Sequence, residues 1–380
     1  LEPLQSLLDD TSLQEPCKRI IRDIQKRIDA ITNAKDDTKF KEADVAFETE
    51  ITTLSGTSAE SLDINVSVAY NRVIKVLCKK LNKIADKVTT DRVKFKTMKI
   101  LITGAAGLIG KEVTKGLVEA GYEVLATDLV KDDLSPAQRF VVGDLVSADF
   151  ISQLDFHCDA IVHLGSIPRP GIASDETVLH NNVIGTYHVF ASAVENNVPL
   201  VIYASSLSIY GFAWSTGTSP DYVPVDEKHP LHHFESYALS KEVNERSADM
   251  WANRSETAFV GLRFPHTHTH SVFAEMAQKM REGDKATLEQ GAKIFWAYLD
   301  LRDAVNGILT VIQKGAKGSK TYNFAAPDTY APRPTRELMA EFHPNSKIAS
   351  SLSGYQSIID CSEWHADFGY EPQYLLDRSQ

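Results

Sequence analysis

Residues 98–110 read M-K-I-L-I-T-G-A-A-G-L-I-G, and the rest of the chain is arranged around them. Lys99–Thr103 is a short β-type run, Gly104, Gly107 and Gly110 follow at intervals of three, and Leu108, Ile109, Val113, Leu117 and Val118 then recur at helical spacing. The pattern predicts strand, tight turn, helix. Glycine suits the turn because a β-carbon would obstruct its torsions, hold a pyrophosphate off the main chain and keep helix from strand. The amides of the first helical turn, at Leu108 and Ile109, are then expected to face the phosphates. A second β-type run, 123–127, ends at Asp128, about twenty residues beyond the glycines, where a carboxylate accepts hydrogen bonds from an adenosine ribose. Its charge would repel a 2′-phosphate, so the expected cofactor is NAD rather than NADP. Gly-rich turns also simply link strands to helices; the flanking periods and Asp128 together favour the dinucleotide reading.

The chain of 380 residues exceeds the usual size of one core, so two units are expected. A formal net charge of -11 argues against nucleic acid or an anionic membrane as partner, since either needs a basic surface. No uninterrupted apolar run is long enough to span a bilayer, and the first residues, with Glu2, Asp9 and Asp10, lack the basic start of a signal peptide. A cytoplasmic location is expected. Cys17, Cys78, Cys158 and Cys361 form no C-x-x-C pair, which suits reduced thiols and no metal site.

Residues 1–97 have a different texture, with one glycine, Gly56, and no strand-like run. Ser12 with Glu15 makes a capping box, and Cys17, Ile20, Ile21, Ile24, Ile28 and Ile31 mark one helical face. Val73, Val76, Leu77, Leu81, Ile84 and Val88 mark another, and 40–54 supplies a third helix. An all-α helical bundle is expected over 1–97, its stripes forming chiefly its own core, with a groove for an unknown protein partner as the alternative. Met98 has the look of a chain start, so 1–97 reads as an appended module or a fusion partner and 98–380 as the NAD-binding catalytic domain.

After Asp128 strands and helices alternate. Arg139–Val142 leads into Gly143-Asp144-Leu145, where Asp144 either accepts from an adenine amino group or caps the next helix. Residues 160–164 form the next expected strand, followed by Gly165-Ser166-Ile167-Pro168 at the carboxyl edge, where an open α/β sheet places its ligands. Residues 181–186 are read as opening a helix, and 200–204 as a strand emptying into Ser205-Ser206. The irregular stretch 207–235 reads as a lid or an excursion over the site. A helix starts at Tyr237, and strands resume over 258–264, 298–301 and 322–325. The expected fold is α/β: a Rossmann-type doubly wound parallel sheet with a small C-terminal substrate-binding part.

Tyr237 and Lys241 lie four apart, so on a helix the ammonium sits beneath the phenol. A nearby cation lowers a phenol's pKa from its usual value near 10, and Ser206 can bond the same substrate hydroxyl. Together the three could take a proton from a secondary alcohol while its carbon gives hydride to a nicotinamide. Tyr-x-x-x-Lys is common on exposed helices; its place after the dinucleotide turn and Ser206 makes it specific.

Residues 98–380 resemble an extended short-chain dehydrogenase/reductase of the NAD-dependent epimerase/dehydratase family. The resemblance rests on T-G-A-A-G-L-I-G, Asp128, Gly143-Asp144-Leu145, His163-Leu164-Gly165, N-N-V-I-G-T, Y-A-S-S-L-S-I-Y-G, Y-A-L-S-K, Leu262-Arg263-Phe264, Y-L-D-L-R-D-A-V and F-G-Y-E-P. It implies that Ser206, Tyr237 and Lys241 are catalytic, that Asn182 lies near the cofactor, that Lys241 also touches the nicotinamide ribose, and that two long helices pair in a homodimer. It implies a sugar as substrate. Dehydratases of the family carry Asp-Glu directly after the catalytic Ser/Thr, whereas this chain has Leu207 and Ser208, so dehydration is not expected. Two residues that hold the sugar-nucleotide diphosphate in UDP-galactose 4-epimerases align with His266 and Trp296. A sugar epimerase is the first reading, a sugar or uronate dehydrogenase releasing NADH the second, and a non-catalytic NAD-binding scaffold the third. Uronate dehydrogenases share the style of the loop at 163–166, which equally suits strand-end packing.

His266, His268 and His270 alternate, as on a strand aimed one way; pocket lining is preferred to a metal site. Pro265 either packs on the nicotinamide or merely ends its strand. Arg302 either meets a substrate carboxylate or pairs with Asp300 or Asp303. Ser166, Ser208, His266, Trp296 and Arg302 are the expected substrate residues, and Asp226-Glu227 the surface contacts that close the lid.

Overall fold

The computed structural model describes residues 97–215 and 219–377; the helical bundle expected over 1–97 lies outside them except for its last residue, Thr97. Seven parallel strands form the central sheet in the order β10-β7-β5-β4-β1-β2-β3. They are β1 (Lys99–Thr103), β2 (Glu123–Asp128), β3 (Arg139–Val142), β4 (Ala160–His163), β5 (Leu200–Ser206), β7 (Ala258–Phe264) and β10 (Ser319–Asn323). Successive side chains of a strand point to opposite faces, and both faces here are apolar. From β1, Ile100 and Ile102 join one core with Val113 and Leu117 of α1 (Leu108–Glu119) and Ile308 and Val311 of α7 (Leu301–Lys314). Leu101 joins the other core, with Val189 and Phe190 of α3 (Asp175–Glu195) and Ala248 and Trp251 of α4 (Ser236–Ala252), while α2 (Ala148–Gln153) lies at the edge through Phe150 and Ile151. This is the doubly wound, Rossmann-type sheet that the sequence predicts.

The order reverses between β1, flanked by β2, and β4, on its other side. A crevice opens there at the carboxyl ends, which is where such sheets take ligands.

The C-terminal part differs more from expectation. Residues 298–301 do not extend the main sheet: β9 (Tyr298–Asp300) pairs in parallel with β8 (His266–His268). The stretch 207–235 is no free lid. Its start forms a 3₁₀ turn, Leu207–Tyr210, and Ile209, Tyr210, Phe212, Val223 of β6 (Tyr222–Val223) and Val225 bury against Phe295, Met339 and Ile358. With α5 (His270–Arg281), α6 (Lys285–Ala292), α8 (Thr335–Phe342) and β11 (Lys347–Ile348), they make a small lobe, and α9 (Ser362–Phe368) packs against the sheet side. Residues 181–186 lie within α3 rather than opening it; the helix starts at the cap Ser174, whose side chain accepts the Thr177 N–H. Among the described residues no helix is long and apolar enough to cross a membrane.

Candidate active site

A cleft of about 830 Å³ lies at the carboxyl ends of the strands, a size in the range of cofactor sites. Gly104 ends β1 with φ +71°, and a β-carbon there would stand 2.5 Å from the Leu164 carbonyl carbon. Only glycine lets β1 turn so close to the loop after β4. Gly107 is the N-cap of α1 and supplies no side-chain cap, and the first turn holds no acidic residue. Gly107, Leu108, Ile109 and Gly110 all line the cleft, so the helix offers it an N-terminus suited to an anion.

Asp128, at the end of β2, accepts the Ala106 N–H (2.8 Å) through Oδ2 and the Leu129 N–H (2.7 Å) through Oδ1. Each oxygen keeps acceptor capacity toward the cleft that Asp128 lines. Asp144 and Leu145 line it too. Asp144 is not the helix cap: Ser147 caps α2, while Asp144 accepts the Val146 N–H at 2.9 Å. Glycines, uncapped helix and acceptor at the second strand end therefore fit a dinucleotide with a free ribose diol.

Leu164, Gly165 and Ser166 line the cleft, but His163 does not. Its ring nitrogens bond Thr103 Oγ1 (2.7 Å) and Thr186 Oγ1 (2.9 Å), and burial lowers its pKa to about 3. It is strand-end packing. Asn182 does not itself line the cleft but stands behind a loop that does. Fully buried on α3, it accepts the Ile167 N–H (2.8 Å) and donates to the Ile167 carbonyl (3.1 Å), holding the 165–168 loop from behind.

Ser206 ends β5, and its Oγ accepts the Ser208 N–H at 3.1 Å. Glu235 caps α4 by accepting the Tyr237 and Ala238 N–H groups (2.5 and 2.9 Å), which sets Tyr237 and Lys241 one turn apart on the face toward β5. Lys241 Nζ lies 5.4 Å from the Tyr237 ring centroid. It donates to the Ala204 carbonyl (3.0 Å) and Ser166 Oγ (3.2 Å). Both side chains are nearly enclosed, Tyr237 at 8% and Lys241 at 2% exposure.

Enclosure governs their acidity. Burial pushes the Tyr237 phenol up to about 12, opposed by a hydrogen bond from Ser206 and reinforced by the charge of Glu235. Burial brings Lys241 down to about 8 against the pull of the Glu245 carboxylate. The sequence suggests that the ammonium sets the phenol's acidity; in the fold desolvation outweighs it, because Nζ is aimed at Ala204 and Ser166.

Ser208, Pro265 and His266 line the same cleft. His266 stands edge-on to Phe273 at 5.2 Å, and burial, then His268, lower its pKa. His270 starts a helix, so the three histidines do not share a strand, and among the described residues no group of three His, Cys, Asp or Glu is placed to hold a metal. Two expected substrate residues lie elsewhere. Trp296 is wholly buried against Phe342, and its neighbours Ile294 and Phe295 line the cleft instead. Arg302 forms a two-point pair with Asp300 (2.8 and 2.9 Å) and stacks 3.8 Å over Tyr374. Glu227 is likewise no surface contact, since its Oε1 accepts the Asn323 N–H at 2.8 Å.

The sequence reading missed Glu245, which continues the Tyr237 and Lys241 stripe one turn further, and its buried partner Arg263. It also missed Arg169, Trp214 and Lys293 at the cleft; for these, no local pattern gives a signal.

A glycine turn at the switch point of a parallel sheet, with Ser, Tyr and Lys converging beside it, is the architecture of a Rossmann-type protein of the short-chain dehydrogenase/reductase class. The model of the NAD dependent epimerase/dehydratase family matches residues 100–325, and the chain belongs to that family. A UDP-glucose 4-epimerase of Streptococcus mutans is 25% identical over 317 residues, 73% of this chain and 92% of its own. A uronate dehydrogenase of Pseudomonas syringae is 30% identical over 171 residues, 43% of this chain. The match spans 58% of that dehydrogenase and 56% of a Methanocaldococcus jannaschii relative. Among solved structures, a short-chain dehydrogenase/reductase superfamily protein from Agrobacterium tumefaciens with bound NAD has the same fold, with TM-score 0.56, 23% identity and coverage of 74% and 94% of the two chains.

Proposed function

We propose that the chain is an NAD-dependent oxidoreductase acting on a secondary alcohol of a sugar or sugar derivative, and in the first instance a sugar epimerase. The observation that carries this reading is that Ser206, Tyr237 and Lys241 line the same cleft as the glycine turn, with Lys241 Nζ 5.4 Å from the Tyr237 ring centroid. The turn from Gly104 to Gly110 would hold the pyrophosphate, Asp128 the adenosine ribose, Asp144 and Leu145 the adenine side, and Leu164, Gly165 and Pro265 the nicotinamide side. NAD, when bound, supplies the hydride acceptor and, as a cationic pyridinium, favours the phenolate. Tyr237 Oη takes the hydroxyl proton, Ser206 Oγ holds the same oxygen, and Lys241 stabilises the phenolate charge. Ser166, Ser208 and His266 line the sugar side. Leu207 and Ser208 provide no acid–base pair, so the reading excludes elimination of water.

A second reading, a sugar or uronate dehydrogenase that releases NADH, is favoured by the place of Trp296 away from the cleft. Trp296, at one of the two positions that hold the diphosphate in UDP-galactose 4-epimerases, is buried away from the cleft and clamps no nucleotide diphosphate, while Arg302, occupied by Asp300, leaves a uronate carboxylate without that partner. Residues 1–97 are proposed as an appended module, and a homodimer as the assembly. The deciding experiment incubates the purified protein with NAD and a panel of free sugars, uronates and UDP-sugars. Isomer exchange without NADH accumulation supports the epimerase, net NADH the dehydrogenase, and silence across the panel the non-catalytic scaffold.

A further inference from the structure

Directly beneath the reactive groups lies an ion pair that the reaction above does not use. Glu245 sits one turn after Lys241 on α4, and Arg263 near the end of β7. Glu245 Oε1 accepts the Ser205 hydroxyl (2.6 Å) and Arg263 Nε–H (2.9 Å), and Oε2 accepts Arg263 Nη2–H (2.7 Å). Arg263 Nη1 donates to Tyr210 Oη (2.7 Å) and reaches the Glu227 carbonyl (3.4 Å). Tyr210 Oη in turn bonds Asn323 Oδ1 at 2.8 Å. Both charged side chains are about nine-tenths buried. One carboxylate thus ties together α4, β5 and β7, which carry Lys241, Ser206 and the approach to Pro265, and its partner ties all three to the small lobe.

We propose that Glu245 and Arg263 are positioning residues: the pair locks Ser206 and Lys241 from beneath and, through Tyr210, fixes the small lobe against them. The proposal rests on the catalytic reading of Ser206, Tyr237 and Lys241. A buried pair of this kind is a weak source of stability compared with apolar packing, because both charges lose their water. Its geometric product is register: two-point bonds from Arg263 to Glu245 leave neither helix nor strand free to slide.

The pair also acts through charge. Lys241 is faced by Ser166 after β4, the Ala204 carbonyl of β5 and Tyr237 on its own helix, with His163 of β4 and Glu245 within electrostatic reach. Glu245 is faced by Ser205 and Tyr203 of β5 and by Arg263 of β7. His163 and Tyr203 are neutral near pH 7, so Glu245 supplies the negative charge that Lys241 meets. Without it, two buried cations, Arg263 and Lys241, would remain.

The test is Glu245→Gln, which keeps the shape and removes the charge. The titration of Lys241 is followed by NMR of ¹³C-labelled lysine, assigned with Lys241→Arg, and so needs no substrate. The midpoint is expected to fall by about one pH unit or more. In the sugar panel kcat is expected to fall about tenfold or more, while NADH affinity stays within about threefold. The double variant Glu245→Gln, Arg263→Gln removes both charges; it should regain the melting temperature and not kcat, and it decides the matter if the single variant fails to fold. A folded Glu245→Gln protein with unchanged Lys241 titration and unchanged kcat overturns the proposal, as does a double variant with full kcat. Turnover that survives Tyr237→Phe would instead overturn the catalytic reading, and leaves the Lys241 titration as a separate result.

Discussion

Gly104→Ala tests the crevice through one methyl group. At φ +71° an L-residue carries strain of about 1–2 kcal/mol. The new β-carbon would also stand 2.5 Å from the Leu164 carbonyl carbon, 2.6 Å from the Gly165 nitrogen and 2.7 Å from the Leu164 oxygen. These are backbone atoms at the end of β4 and cannot rotate away, so β1 and β4 must part, at an overpacking cost of about 1–3 kcal/mol. Together the terms come to roughly 3 kcal/mol, or a fall in melting temperature of about 6–12 °C. Because Gly104, Leu164 and Gly165 all line the cleft, NADH affinity should drop about tenfold or more. Gly283→Ala is the control: its φ is +88° with nothing within 4 Å, so it carries the torsional strain alone. Differential scanning fluorimetry and NADH fluorescence titration read both quantities. If Gly104→Ala melts like Gly283→Ala and binds NADH like the parent, the close approach at the switch point is not what shapes the site.

Two further outcomes follow from the same geometry. Asp128→Asn keeps an acceptor for the Ala106 N–H and removes the charge, so the affinity ratio of NADP to NAD should rise about tenfold; an unchanged ratio in competition titrations removes Asp128 from the ribose. His163 is held neutral by burial, with a folded pKa of about 3 against 6.5 in the unfolded chain. Below pH 6.5 the unfolded state therefore binds a proton that the native state refuses, and stability falls by up to about 1.4 kcal/mol per pH unit towards pH 3. Urea unfolding of His163→Gln should show a shallower slope over that window, and a parallel slope would mean that the ring is charged in the fold.

The glycine-turn part of the cleft was legible in the sequence because its geometry is local. A strand, three glycines and a helical period occupy residues 99–118, and Tyr237 and Lys241 need only one helical turn to meet. The small lobe was not legible, since Ile209 and Phe212 find their partners at Phe295, Met339 and Ile358, across loops that carry no period. Arg302 illustrates a different failure. Asp300 is the N-cap of α7, accepting the Arg302 N–H at 2.9 Å, and the same carboxylate captures the guanidinium of that residue. A strand-to-helix cap two residues away thus takes up the guanidinium. Asn182 lies mid-helix, and only the tertiary packing of α3 against the 165–168 loop makes its amide face Ile167. The phenol's acidity was misjudged for a related reason: spacing reveals the neighbouring ammonium and does not reveal enclosure.

The account stands on Tyr237 as the group that moves the proton. The most direct measurement is kcat of Tyr237→Phe on the responsive sugar, with NADH affinity measured alongside. Loss of a positioned general base predicts a fall of about 10²–10⁴-fold with NADH affinity within about twofold of the parent. Parental turnover in a protein that still lacks the phenol oxygen would contradict it.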